Sequence, residues 1–167
     1  MELALTLSPG RLAVFGYAHV PWFKKQQEQL EAYGLPDTLE RYQLYLAAAD
    51  SLTKAGYREI GIDHFAAPDD SMSKAYERGE LYRNFQGYTT DKSPALLGFG
   101  ASAITSLPKG YVQNSTLIKQ YREQTGAGLL ATARGIKRKT EDSPRHSVIE
   151  NIMCYGQADF SMLDEKT

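Results

Sequence analysis

Three stretches of this sequence combine residue types that can do chemistry. The densest is Arg83-Asn84-Phe85-Gln86-Gly87-Tyr88-Thr89-Thr90, which packs two aromatic rings, two amides and two threonine hydroxyls around a glycine. Ring faces stack on a flat ligand, while amides and hydroxyls supply donors and acceptors for its polar edge. The same two rings could instead only pin a long loop to a core. The second stretch is Tyr17-Ala18-His19 and the third Asp63-His64, each histidine following a run that reads as a strand. In parallel α/β folds, polar residues at the C-terminal ends of strands gather at active sites. A histidine there can equally hold a rim together through loop backbone, and Asp63 is placed to orient His64 through a ring N–H.

Gly98-Phe99-Gly100-Ala101-Ser102-Ala103 matches the loose dinucleotide fingerprint GxGxxA. It lies inside a strand-like run instead of opening a helix, and no acidic residue ends a following strand about 20 residues later. The glycines there suit close approach of the backbone to something flat or bulky. Arg134, Lys137, Arg138 and Lys139 form the one basic cluster, with Glu141 and Asp142 directly after it. It reads as a solvated loop before a helix N-terminus, with carboxylate binding as the alternative. Cys154 is the single cysteine, so the chain has no disulfide framework, zinc pair or CxxC motif. Its neighbours Val148, Ile149, Ile152 and Met153 suggest a small buried hydrophobe. Nucleophile elbows, histidine pairs at metal spacing and P-loops are all missing, which leaves hydrolase, zinc-enzyme and NTPase readings without support.

Arg11 to Tyr17 reads as a strand bounded by Pro9-Gly10 and Pro21. Leu39, Tyr42, Leu46, Ala49 and Leu52 share a stripe that predicts a helix from Asp37, with Asp37 and Glu40 at capping-box spacing and Gly56 as the stop. Glu59 to Asp63 predicts a strand ending in His64-Phe65, and Asp69 or Asp70 caps a helix finishing near Gly79. Ala95 to Thr105 again reads as a strand. This alternation is that of an α/β protein with parallel strands. Three strands close a core poorly, and Met1 to Leu7 look like the tail of a helix, so the expectation is a piece of a larger barrel. From Pro108 onward, helices are expected from Asn114 or Ser115 to Gly126 and over roughly Ser143 to Tyr155. The expected division is therefore residues 1–107, barrel, and 108–167, the beginning of a helical accessory domain.

The composition, 42% hydrophobic and 23% charged over 167 residues, is that of a globular chain with a real core. A net charge of −1 offers no basic field for nucleic acid or an anionic membrane. No apolar run approaches the ~20 residues of a membrane helix, and the start Met1-Glu2-Leu3 lacks signal-peptide character, so a cytoplasmic location is expected.

At RNFQGYTT, preceded by IGIDHFAAPDDSMSKAYERGEL and followed by LLGFGASAI, the sequence resembles the oxygen-independent coproporphyrinogen III oxidases. Phe15-Gly16-Tyr17-Ala18-His19, Tyr111-Val112-Gln113-Asn114 and Val148 to Cys154 fall in the order of that family, so the resemblance covers essentially the whole chain. Haem-chaperone relatives share the barrel but carry a Tyr-Trp pair in place of FQGYTT; they give the alternative, a tetrapyrrole-binding protein without turnover. Two departures stand out: Ile62-Asp63-His64 replaces Met-Asp-His, and Arg145-His146 replaces a pair of arginines.

The resemblance implies the latter part of a partial (β/α) radical S-adenosylmethionine (SAM) barrel. It implies a reaction in which two propionates of coproporphyrinogen III are oxidatively decarboxylated to vinyls, giving protoporphyrinogen IX for haem synthesis. It implies two bound SAM molecules, with Ala18 and Ile104 as contacts. Gln86 and Phe85 are further SAM candidates outside the resemblance, and the strand-end residues Tyr17, His19, Asp63 and His64 are a possible rim of the site. A CxxxCxxC loop holding a 4Fe-4S cluster is expected outside this sequence, which has one cysteine. An electron donor to the cluster, a monomeric full-length enzyme and an inactive isolated fragment are expected too.

Overall fold

A computed structural model describes residues 1–163, which form two compact units: residues 1–80 and the residues from 81 onward.

The first unit contains α1 (Glu2–Leu5), β1 (Arg11–Ala13), a 3-10 helix (Lys25–Tyr33), α2 (Thr38–Lys54), β2 (Arg58–Ile60), β3 (His64–Ala66) and α3 (Ser71–Glu77). Helix α2 begins as its sequence predicts. The Glu40 N–H donates to Asp37 Oδ1 and the Asp37 N–H donates to Glu40 Oε2, both at 2.9 Å, so two backbone donors are satisfied reciprocally. The chain leaves the helix at Gly56, whose φ of +90° favours glycine. Asp70 opens α3 by accepting the Met72 N–H at 2.7 Å, and the same oxygen holds Arg11 Nε at 2.8 Å.

The expected parallel strands are not what forms here. β3 lies between β1 and β2 and is antiparallel to both, with Leu12 opposite Phe65 and Ile60 opposite His64. Gly61 is the physical reason. At φ +61° it turns the chain within three residues, and so short a connection can join only antiparallel strands. The run read as one strand from Glu59 through Asp63 is therefore the end of β2 and a turn, and His64 opens β3 instead of trailing β2. The core is Leu52, Ile60, Phe65, Ala66, Met72, Ser73 and Ala75. Burying the three large side chains Leu52, Ile60 and Phe65 contributes about 1.5–3 kcal/mol each. Of the α2 stripe, only Leu52 is buried; Leu39 and Tyr42 remain 62% and 58% exposed.

The second unit contains β4 (Tyr82–Asn84), β5 (Gly87–Thr89), β6 (Ile104–Leu107), β7 (Gly110–Asn114), α4 (Ile118–Gly126), β8 (Thr132–Lys137), α5 (Asp142–Tyr155) and a 3-10 turn (Phe160–Met162). β4 and β5 form a hairpin, and β6, β7 and β8 an antiparallel sheet in that order. The expected all-helical tail is corrected by β7 and β8. Pro108-Lys109 is the tip of the β6–β7 hairpin, and Leu107 and Gly110, which the sequence places on either side of a boundary, are paired across it. A Cβ at Gly110 would lie 2.2 Å from the Ile136 carbonyl oxygen, so only glycine fits. Of the expected strand from Ala95 to Thr105, only Ile104 and Thr105 enter β6, while Leu96 makes a single bridge to Ser106. Gly100 at φ +106° and Ser102 at φ +64° take the intervening residues out of extended geometry.

Among the described residues, no helix is long and apolar enough to cross a membrane.

Candidate functional site

In the first unit the expected strand from Arg11 to Tyr17 ends at Ala13, and Val14, Phe15, Gly16, Tyr17 and His19 line a cleft of about 310 Å³ together with Leu35, Pro36, Arg41, Leu44 and Tyr45; Ala18 lies outside that lining. Tyr17 and His19 enter it with ring centroids 6.0 Å apart. His19 Nε2 lies 2.9 Å from Glu31 Oε1, while its Nδ1 is buried without a hydrogen-bond partner among the described residues. Ala18 is exposed, and its backbone is fixed by a residue that sequence reasoning missed. Gln27 donates to the Ala18 carbonyl at 3.1 Å and accepts the Val20 N–H at 2.7 Å. Nothing in the run Lys24-Lys25-Gln26-Gln27 singles out the second glutamine.

Tyr45, at the back of this cleft, donates its hydroxyl to Glu59 Oε1 at 2.6 Å and to the Ile62 carbonyl at 3.1 Å. Burial, then the bond to Glu59 and the negative charges of Glu59 and Asp63, push its pKa up to about 12, so it is a neutral donor at physiological pH. Asp63 and His64 form the expected pair, with Nδ1 2.7 Å from Oδ1. They do not line the cleft that holds Tyr17 and His19. The four rim candidates are thus two separate pairs.

In the second unit, the RNFQGYTT stretch is the β4–β5 hairpin. Phe85 and Gln86 form its tip and Gly87, at φ +125°, allows the chain to return. The hairpin is held by α5. Tyr88 donates its hydroxyl to the Met153 carbonyl at 2.9 Å, the Arg83 N–H donates to Glu150 Oε1 at 3.0 Å, and the Leu81 N–H donates to the Tyr155 hydroxyl at 2.7 Å. Tyr88 therefore pins the hairpin, as the plainer reading of this stretch expects. Phe85 stays 55% exposed and meets the Tyr111 ring edge-on at 5.3 Å, on the wall of a cleft of about 610 Å³. Gln86 is exposed and lies outside that lining.

Ile104 is half-buried at the start of β6, opposite Gln113, and also outside the cleft. The loop before it is braced by residues that sequence reasoning did not single out as functional. Asn114 Nδ2 donates to the carbonyls of Gly98 at 3.2 Å and Gly100 at 3.0 Å; Gln113 Nε2 donates to the Ser102 carbonyl at 3.0 Å. Thr105 and Tyr121 accept the N–H groups of Gly98 and Gly100 through their side-chain oxygens at 2.9 and 3.0 Å. A Cβ on Gly98 would come within 2.7 Å of the Ile104 carbonyl oxygen, so the close approach this glycine permits is to Ile104 itself.

Known proteins match this arrangement. No family model matches the chain. It is 53% identical over 156 residues to the oxygen-independent coproporphyrinogen III oxidase of Bradyrhizobium diazoefficiens, a match covering 93% of this chain and 35% of that protein. Against the oxidase of the same name from Cereibacter sphaeroides it is 45% identical over 163 residues, covering 98% of this chain and 36% of the relative. The solved structure of coproporphyrinogen III oxidase from Escherichia coli, a radical SAM enzyme, superposes with a TM-score of 0.88 at 39% identity, covering 96% of this chain and 37% of that one. The chain is homologous to one part of the oxygen-independent coproporphyrinogen III oxidases. It spans about a third of the length of these relatives.

The oxidase family's radical SAM chemistry calls for an iron–sulfur cluster held by cysteine thiolates. Cys154 does not fit that role. It is fully buried, and burial, followed by the negative charge of Glu150 and against the opposing charge of Arg83, pushes its pKa up to about 11. Among the described residues, no group of three or more His, Cys, Asp and Glu side chains could hold a metal ion. The residues present do not fit the cluster.

Proposed function

We propose that this chain supplies part of the SAM- and substrate-binding scaffold of an oxygen-independent coproporphyrinogen III oxidase acting in the cytoplasm. The whole enzyme, on this reading, oxidatively decarboxylates two propionates of coproporphyrinogen III to vinyl groups, giving protoporphyrinogen IX. The observation that carries the reading is 53% identity sustained over 93% of the chain to an oxidase of that name. In the whole enzyme, SAM, a 4Fe-4S cluster and an electron donor would supply the radical chemistry, and none of the described residues would hold the cluster. The cluster thiolates belong to the part of the enzyme that these relatives have beyond the matched third.

The roles of the chain's own residues are binding ones. Ala18, its backbone held by Gln27, is a SAM contact in the first unit. Ile104 is a SAM contact in the second, an aliphatic surface at the end of a braced loop on which a flat adenine can pack. Phe85, exposed at the hairpin tip, and Gln86 beside it are further SAM contacts. Tyr17, His19, Asp63 and His64 form rim pairs.

The test is a chimera in which this chain replaces the matched third of the Bradyrhizobium diazoefficiens oxidase, reconstituted anaerobically with iron and sulfide and assayed for conversion of propionate to vinyl. Protoporphyrinogen formation is expected. A chimera that assembles its cluster and cleaves SAM yet makes no vinyl product would overturn the reading.

A further inference from the structure

The cleft of the second unit places cations where the rest of the chain gives them little to do. Arg83 stacks its guanidinium 4.5 Å from the centroid of the Tyr88 ring, and its Nη1 is buried with no hydrogen-bond partner among the described residues. Arg138, from the basic cluster, lies 4.9 Å from the Tyr111 centroid and donates to the Tyr111 hydroxyl. Among the described residues neither arginine is paired with a carboxylate, whereas Lys139 and Arg145 nearby both reach Glu141. The acids of the cleft make hydrogen bonds to backbone N–H groups and no ion pair with either guanidinium. Asp91 accepts the Ser93 N–H at 2.8 Å, and Glu150 accepts the backbone N–H of Arg83 at 3.0 Å.

A buried guanidinium nitrogen without an acceptor costs free energy that an incoming anion would restore, and a guanidinium recognises a planar carboxylate with two parallel bonds. The same cleft is lined by the Tyr111 ring, which Phe85 meets edge-on and holds in place, a surface for a flat apolar frame. At about 610 Å³ the cleft is of the size that takes one side of a large ligand.

We propose that this cleft binds a carboxylate carried on a flat ring, with Arg83 and Arg138 as its clamp and the Tyr111 ring as its stacking wall. Resting on the function proposed above, the ligand is a propionate-bearing pyrrole edge of the tetrapyrrole substrate. The same chemistry could come from the amino-acid carboxylate of SAM, so the test carries both arms.

Coproporphyrin III, its tetramethyl ester and S-adenosylhomocysteine are titrated into the 167-residue chain and into its Arg83→Gln and Arg138→Gln variants, with a thermal melt run on each preparation. Each substitution should weaken coproporphyrin III about tenfold or more, the loss of a hydrogen bond to a charged group, while the melt stays in place. The ester, lacking charge, should bind weakly and equally to all three. Equal coproporphyrin III affinity in folded variants, or no binding by the unsubstituted chain, overturns the clamp. Loss confined to S-adenosylhomocysteine gives the cleft to the cofactor and overturns the propionate assignment. Because binding is read without turnover, a clamp that fails here leaves the chimera's vinyl assay as an independent test of the proposed function.

Discussion

Ile104 is a residue whose proposed role and whose packing make opposite forecasts. If its side chain only fills the second unit, Ile104→Asp in the chimera lowers the melting temperature and loses activity through unfolding. As a SAM contact at a half-buried position, it would instead place a carboxylate against adenine, at a cost of a few kcal/mol of binding. SAM affinity should collapse in a protein that still melts cooperatively; unchanged affinity removes Ile104 from the site. Cys154 and Tyr45 make a second forecast, about pH. Both have folded-state pKa values raised by burial, from 9.0 to about 11 and from 10.0 to about 12. In each case the folded state keeps its proton where the unfolded state has lost it. Stability is therefore fully present below about pH 9, falls as pH rises through about 11 for Cys154, and falls again through about 12 for Tyr45. Urea melts at stepped alkaline pH should show this, and Tyr45→Phe should remove the upper part of the decline. A pH-independent midpoint from 8 to 12 would contradict the neutral state of both groups, Cys154 buried and Tyr45 half-buried.

At the scale of elements, the loop from Gly98 to Ser102 is where order is maintained by side chains instead of by a strand ladder. Asn114 is its chief brace, donating to two carbonyls. Asn114→Ala should leave both acceptors short of a donor and cost about 1–3 kcal/mol for each that stays dry. Amide hydrogen exchange should quicken over 98–103 with β8 and α5 unaffected; a uniform rise across the second unit would mean that Asn114 supports the whole sheet. The starts of α2 and α3 and the stop of α2 were legible because their chemistry is local: Asp37, Glu40, Gly56 and Asp70 act within a few residues of themselves. The start of α4 was not: Asn114, expected with Ser115 to open it, ends β7, and the helix begins at Ile118 without a side-chain cap. The β2–β3 reversal was not legible. Gly61 sits in an otherwise continuous strand-like run, and a lone glycine there does not show a reversal until β1 and β2 are known as the two partners of β3. The β6–β7–β8 sheet was missed for a similar reason, since Pro108-Lys109-Gly110 reads equally as a linker and as a hairpin tip until the partner strands are known. At the site level, the pinning role of Tyr88 and the Asp63–His64 contact could be read from residue types, whereas the stretch read as a loop around Gly87 is a hairpin. The braces Gln27, Asn114 and Gln113 could not, because an amide that clamps backbone looks like any surface amide in one dimension.

Across the molecule, the exposed apolar residues of the first unit set a forecast for the chain by itself. Phe15, Trp22 and Phe23 are 75%, 80% and 76% exposed, and Leu39, Tyr42, Leu44 and Leu46 are exposed along α2. Scattered apolar residues on a surface need no partner, but large aromatics gathered in one unit together with an uncovered helical stripe exceed what a soluble monomer ordinarily presents. The relatives are about three times longer than this chain, and covering this surface is work that their further length could do. The isolated chain should therefore bind an environment-sensitive apolar dye and self-associate with rising concentration in sedimentation. Within the chimera both signals should fall, because the same residues would be packed against the rest of the oxidase. Trp22 is the one tryptophan of the sequence, so its fluorescence reports the change directly: emission near that of a solvated indole in the dilute chain, shifted to shorter wavelength in the chimera. An isolated chain that stays monodisperse and dark to the dye, with the same Trp22 emission in both settings, would show that this surface is tolerated in water and is not a face prepared for the remainder of the enzyme.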